Sequence, residues 1–179
     1  MKTLPLEIRP ATLDDVEHMA AYAARNVEHL RAFTPVRPPD HERAAAIRER
    51  LLTQLAAEPS ARVQYVAFLD GELVAQLAIS NIVRAAFQSA HLGYSVDAAH
   101  CGRGIATQAV AEVVVDAFTE QGLHRLEAGT LVDNVASQRV LLANGFERIG
   151  LSRRHLQIAG AWRDHLLFAR THDQPWSVD

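Results

Sequence analysis

Gly102 and Gly104 stand one residue apart, between a strand-like run, "SAHLGYSV" (89–96), and a helix-like run that starts at Ile105. This stretch constrains the architecture most, because a strand, a glycine turn and a helix start leave a helix N-terminus open at the end of a strand. The first amides of a helix have no partner inside it, and the helix dipole adds about half a positive charge there. Glycine lacks the Cβ that would hold an anion away from those amides. Arg103, between the glycines, can add a charged hydrogen bond of about 1.5–3 kcal/mol. A plain turn with a helix cap is the alternative, and a lone Gly-x-Gly does not separate the two. Two nucleotide motifs fail outright. A P-loop needs a Gly-Lys pair before Ser or Thr, and the chain has no Gly-Lys pair. A dinucleotide fingerprint needs a third glycine at 107, where Thr107 stands.

Elsewhere the hydrophobic period changes along the chain. "LEIRPA" (6–11) alternates like a short strand stopped by Pro10. Thr12 is placed as an N-cap, with Asp14 and Asp15 in the first turn of a helix over about 13–28 whose apolar face is Val16, Met19, Ala20, Ala23 and Val27. "FTPVRPPD" (33–40) carries three prolines and reads as a loop. Asp40 then opens a second helix to about 57, closed by Pro59. The run 62–83 reads as two strands joined at Asp70-Gly71, and 89–96 as another, with Gly93 a bulge or a point of close approach. From Gly104 to Glu120 the stripe Ile105, Val110, Val113, Val114 and Ala117 marks a helix ended by Gly122. A strand (124–132), a short helix (134–144) capped by Gly145, and a closing hairpin turning at Ala159-Gly160 complete the order β-α-α-β-β-β-α-β-α-β-β. This is an α/β or α+β fold with a mixed sheet, expected as one domain over 1–179.

A net charge of −3 argues against a nucleic-acid-coating protein. One cysteine, Cys101, excludes an internal disulfide. No export-signal core of roughly 7–15 apolar residues and no apolar run near the ~18 of a membrane span is found, so the cytoplasm is the expected address, with no membrane partner. The nine histidines show no metal-ligand spacing, and no metal is expected.

"CGRGIATQAV" resembles motif A of the GNAT acetyltransferases, roughly Gln/Arg-x-x-Gly-x-Gly/Ala, read here as Cys101-x-x-Gly104-x-Ala106. "LVDNVASQRVLLANGFERIG" is similar to the family's motif B, Asn-x-x-Ser, an apolar helix and Asn-Gly-Phe. The segments "SNIVRAAFQSAHLGYSVD" and "RRHLQIAGAWRDHLLFAR" resemble the RimJ/RimL-like branch, which acetylates ribosomal-protein N-termini. The resemblance covers about 6–170. It implies the GNAT fold: a mixed twisted sheet of about seven strands flanked by about four helices, with the fourth and fifth strands splayed around the arm of acetyl-CoA.

The resemblance assigns the amides of Gly102, Arg103, Gly104, Ile105, Ala106 and Thr107 to the pyrophosphate, Asn134 to the pantetheine arm and Ser137 to the thioester sulfur. An unpaired amide near Tyr94, Ser95 and Val96 would stabilise the oxyanion. Cys101 replaces the usual Gln/Arg, and as a thiol nucleophile it would lie at the wrong end of the coenzyme. Many relatives protonate the leaving thiolate with a tyrosine; Leu141 stands there, which leaves Ser137 as the candidate acid, or simply as a first-turn residue satisfying a backbone amide. The branch's glutamate base falls at or near Leu156. Glu127 is the nearest carboxylate and is either a base or a surface partner of Arg125.

The acceptor pocket is expected between 29–40 and the closing hairpin, with Arg31, Phe33, Arg37, Trp162, Arg163 and Asp164 as contacts; Asp164 and His165 either close it or form an ordinary polar pair. Weak base machinery favours an α-amine, roughly 17% neutral at pH 7, over a lysine at about 0.04%. The expected function is acetyl-CoA-dependent N-acetylation of a protein N-terminus. A small-molecule amine acceptor and a silent acyl-CoA-binding regulator remain as alternatives, and a monomer and a homodimer are both left open.

Overall fold

The computed structural model describes residues 4–38, 40–57 and 61–172. Pro39 and Pro59, read above as part of the loop and as the stop of the second helix, lie outside the described residues.

Seven strands form one sheet: β1 (Leu6–Pro10), β2 (Arg62–Leu69), β3 (Glu72–Val83), β4 (Ser89–Val96), β5 (Arg125–Leu131), β6 (Glu147–Ile158) and β7 (Ala161–Thr171). Their order is β1-β2-β3-β4-β5-β7-β6. Every neighbouring pair is antiparallel except β4–β5. Four helices flank the sheet: α1 (Val16–Leu30), α2 (Ala44–Ala56), α3 (Ile105–Thr119) and α4 (Val135–Ala143). Among the described residues, no helix is long and apolar enough to cross a membrane.

The sheet separates two clusters of buried side chains. On one face α3 lays Ile105, Val110, Val113, Val114 and Ala117 on Leu77, Ile79, Leu92, Leu126 and Phe168, with Leu141 of α4 beside them. On the other, Val16, Met19 and Tyr22 of α1 and Ile47 and Leu51 of α2 cover Val66, Phe68 and Leu73. Burying each such Val or Leu is worth about 1.5–3 kcal/mol before conformational entropy is counted, so these stripes fix which face each helix takes.

Four local expectations change. Thr12 does not start an α-helix directly; a turn of 3₁₀ helix (Leu13–Asp15) comes first, and the Asp15 carboxylate accepts the Thr12 amide at 2.7 Å and two Arg9 nitrogens at 2.7 and 2.8 Å. Val27 is exposed, because α1 turns Asn26 inward instead, for a polar reason given below. Asp40 does not open α2: it pairs with Arg43 (2.9 Å), and the helix starts at Ala44. Gly93 is not a bulge. It stays in register opposite Ala78, and the β3–β4 irregularity falls between Ser80 and Val83. Both hairpin turns stand as read, with Asp70-Gly71 (φ 51° and 80°) and Ala159-Gly160 (φ 49° and 83°) in the left-handed region that two-residue hairpins favour.

Candidate active site

The two parallel strands in the middle of the sheet part company. β4 and β5 pair only at Ser89–Arg125, Ala90–Leu126 and His91–Glu127. Beyond that, β4 keeps β3 as far as Val96, and β5 keeps β7 as far as Leu131. A wedge therefore opens at the carboxyl ends of both strands. Successive strand residues turn their main-chain groups to alternate sides. The Arg125 amide donates to Gln88 O (3.1 Å) and the Asp97 amide to Val74 O (2.9 Å), so even-numbered β4 residues face β5 and odd-numbered ones face β3. Tyr94 and Val96 thus aim main-chain groups into the wedge. Ser95 faces β3 instead, and its Oγ accepts a hydrogen bond from the Tyr22 hydroxyl at 2.9 Å.

At the same end lies the glycine turn. Gly102 and Gly104 adopt φ of 75° and 83°, and Gly104 is the left-handed residue immediately before α3. The first hydrogen bond of the helix runs from Gln108 N–H to Gly104 O (3.0 Å). Among the described residues the amides of Gly102, Arg103, Gly104, Ile105, Ala106 and Thr107 donate to nothing, and Arg103 is exposed without an ion pair. Ile105 itself is buried, so only its amide is available.

What holds this turn is Asp97, which the sequence reading passed over. Its buried carboxylate accepts from Arg25 Nε (2.5 Å), Asn26 Nδ2 (2.8 Å) and the Ala99 amide (2.9 Å), with His100 Nδ1 at 3.3 Å. Asn26 Oδ1 in turn accepts the Ala98 amide (2.8 Å). Burial alone would push Asp97 up, but these donors together hold it well below the usual carboxylate range. This is why α1 buries Asn26 and exposes Val27. Glu72, Asp97 and His100 come close enough to suggest a cation site, yet the Arg25 guanidinium bonds both carboxylates and already supplies the positive charge. Cys101 Sγ donates to Asp97 O (3.4 Å); partial burial, with Asp97 adding to it, pushes the thiol up and keeps it protonated.

Across the wedge, Asn134 caps α4, its Oδ1 accepting the Ser137 amide at 3.1 Å. Its Nδ2 is given no partner among the described residues. The Tyr94 hydroxyl donates to Ser137 O (3.0 Å) and lies 2.8 Å from Ser137 Oγ, so β4 and α4 meet through two hydroxyls. Burial pushes Tyr94 up to about 12, which keeps it protonated at neutral pH. Leu141 is fully buried in the core and offers no acid.

On the opposite face of the wedge, away from α3 and α4, both strands carry a glycine. Gly93 on β4 has open space where a Cβ would stand, and Gly129 on β5 is exposed. Glu127, at the last β4–β5 pair, is held by Arg125 Nε (2.8 Å) and His91 Nε2 (3.5 Å). The hairpin tip reaches the loop after α1: the Ala159 amide donates to Thr34 O at 3.1 Å. This brings the segment with Arg31, Phe33 and Arg37 beside β6 and β7. Arg31 pairs with Glu28 (3.6 Å) and Arg37 with Glu42 (2.5 Å), while Phe33 packs its ring 6.5 Å from that of His29. Trp162 is exposed. Arg163 pairs with Asp133 (3.3 Å), and Asp164 accepts the amide of Arg154, the left-handed residue of the β6 bulge, at 2.8 Å. His165, the neighbour of Asp164, turns the other way and is buried among β5, β6 and β7.

A hollow of about 500 Å³ between β1 and α3 lies on a different flank, lined by Arg9, Tyr65, Glu112 and Asp116, and includes none of the wedge residues.

The acetyltransferase (GNAT) domain family matches residues 6–147. The chain is 34% identical to the probable N-acetyltransferase YjcK of Bacillus subtilis (strain 168) over 94% of its own length and 95% of the relative's. It superposes on the ribosomal-protein-S5-alanine acetyltransferase of Vibrio fischeri with a TM-score of 0.91 and 29% identity, covering 98% of each chain. With RimJ of Mycobacterium smegmatis, solved in complex with CoA-disulfide, the TM-score is 0.86 and the identity 35%, over 93% of this chain and 81% of that one. The parted parallel strands, the open amides at α3 and the match along most of the chain agree: this protein belongs to the GNAT family and is an N-acetyltransferase.

Proposed function

We propose that this chain moves the acetyl group of acetyl-CoA directly onto a free amine, and that the amine is the N-terminal α-amine of a protein. One observation carries the reading. The open amides before α3 and the gap between β4 and β5 lie at the same end of the sheet, so one long anionic cosubstrate spans both. The donor set fits each part of it: amides 102–107 and Arg103 for the pyrophosphate, Asn134 Nδ2 for an amide of the pantetheine arm, and the wedge-facing amides of Tyr94 and Val96 for the thioester oxygen. Acetyl-CoA supplies the activated acyl group; the chain orients it, which is worth several kcal/mol of positioning. The paired hydroxyls of Tyr94 and Ser137 stand ready to return a proton to the departing thiolate.

Glu127 is not assigned the base here, because Arg125 and His91 already engage its oxygens. Arg31, Phe33, Arg37, Trp162, Arg163 and Asp164 are assigned to the rim where the acceptor docks; the tie between the hairpin tip and Thr34 supports that grouping. The open space at Gly93 leaves room for an incoming amine end. The relative from Vibrio fischeri is described as acting on a ribosomal-protein alanine, which supports a protein terminus as the acceptor.

The test combines calorimetry with thiol release. Acetyl-CoA should bind the wild type, and Arg103→Glu should weaken it about tenfold or more. A peptide beginning with Ala should release free thiol faster than polyamines or aminoglycosides do. Release only with the small amines transfers the reading to that class, and binding without any turnover makes the protein a silent acyl-CoA binder.

A further inference from the structure

Three imidazoles stand on the face of the wedge away from α3 and α4. The His165 ring lies against Gly129, two residues past the last β4–β5 pair: a methyl group placed on Gly129 would come 3.7 Å from His165 Cδ2. The His155 ring is 5.4 Å from that of His165, centre to centre. His91 stands on β4 beside Glu127, with Asn81 Nδ2 3.4 Å from its Nδ1. The His155 imidazole is pushed below its ordinary range by burial first, then by repulsion from His165 and His91.

His165 has its tautomer fixed by the main chain. Its Nδ1 is 3.0 Å from the Arg163 carbonyl oxygen. A carbonyl only accepts, so Nδ1 carries the proton of the neutral ring and Nε2 carries a lone pair. Nε2 has no partner among the described residues. His165 is only 3% exposed. A buried ring packed against Gly129, with one nitrogen tied back to the main chain and the other without a partner among the described residues, is built like a base. The other candidates are engaged or exposed: Glu127 is held by Arg125, His91 lies between Glu127 and Asn81, and His155 is exposed, with its Nδ1 3.0 Å from Ser152 Oγ.

We propose that His165 is the catalytic base, taking at Nε2 a proton from the acceptor amine as it attacks the thioester. The assignment rests on the acetyl-transfer reading above. As the C–N bond forms, one N–H proton passes to Nε2. The C–S electron pair leaves with the thiolate, which takes a proton from the Tyr94–Ser137 hydroxyls. His165 later gives its proton to water, and water restores the hydroxyl proton, so the products are the N-acetyl amine and the free thiol. The charged and titratable groups around the ring are His155 on β6, His91 on β4, Glu127 and Arg125 on β5, and the Arg163–Asp133 pair at the mouth.

His165→Asn is the variant of choice, because the Asn amide keeps a donor where Nδ1–H stood and removes only Nε2. With a peptide beginning with Ala, or a small amine if the wild type prefers it, kcat should fall about a hundredfold or more near pH 7. Acetyl-CoA affinity and the acceptor KM should stay within about twofold. The deficit should shrink as pH rises past about 9, where hydroxide can take the amine proton in place of Nε2. A deficit under about threefold, or one independent of pH, overturns the assignment while leaving acetyl transfer intact; a wild type that turns over no amine overturns both. Nitrogen-15 NMR of the wild-type imidazoles gives a reading that does not depend on the variant's folding. It should find Nδ1 protonated and Nε2 bare in neutral His165, and a proton on Nε2 overturns the proposal.

Discussion

Asn134 has two polar side-chain atoms, and the fold commits only one of them. Oδ1 caps α4 through the Ser137 amide, while Nδ2 has no partner among the described residues. Aspartate caps a helix as well as asparagine but cannot donate. Asn134→Asp should therefore unfold within about 0.5 kcal/mol of the wild type, and acetyl-CoA binding should weaken about five- to tenfold, the loss of one hydrogen bond of about 1 kcal/mol. Urea melts and calorimetry on the same sample check both halves. Asn134→Ala should fail in both, losing about 1 kcal/mol of cap as well. The motif made Asn134 and Ser137 legible from the chain because both are bound to one helix start by short sequence separation. His165 was visible only as one member of a polar pair, since what distinguishes it from Asp164 is which side of β7 each faces, a matter of strand register.

At the scale of the element, the start of α3 depends on a left-handed residue. Gly104 sits at φ 83°, where a Cβ costs about 1–2 kcal/mol. Gly104→Ala should lower the melting temperature by about 2–8 °C, given about 2–4 °C per kcal/mol at this chain length. It should also weaken acetyl-CoA, because relief of the strain rotates the first amides away from a shared target. A variant of unchanged affinity would mean those amides do not hold the pyrophosphate. The β4–β5 pair shows the complementary limit of local reading. Both strands are evident from their alternation, but nothing within "SAHLGYSV" or "HRLEAGTLV" says that the ladder stops after three pairs. That stop follows from β4 staying with β3, and β5 with β7, along diverging twisted paths.

For the whole molecule, Asp97 joins α1, β4 and the turn before α3 in one buried network. Its folded-state pKa is depressed below the unfolded value of about 3.9, so the stability it contributes is complete above that value and is lost progressively as pH falls from there through the lower folded-state value. Asp15, lowered first by its hydrogen bond from Arg9, acts with the same sign. Acid should therefore destabilise the protein steadily below about pH 5. Asp97→Asn should cost about 2–3 kcal/mol at pH 7, less than for a fully buried pair because the Arg25 side chain is 34% exposed. The gap between variant and wild type should narrow near pH 3, and urea unfolding at the two pH values measures it. A gap that stays constant would show that packing rather than charge makes Asp97 necessary.

Periodicity, turn chemistry and the glycine pair determined the elements, their order and the coenzyme end of the site, because each of these is a local property of a short run of residues. The inward turn of Asn26, the choice of Asp97 as its partner and the gathering of His91, His155 and His165 were decided only in three dimensions. They depend on the register of strands up to about seventy residues apart and on which face of the sheet each helix covers. A polar side chain's role is set by what is left to satisfy it once the apolar surfaces have closed, and no single stretch of chain carries that information.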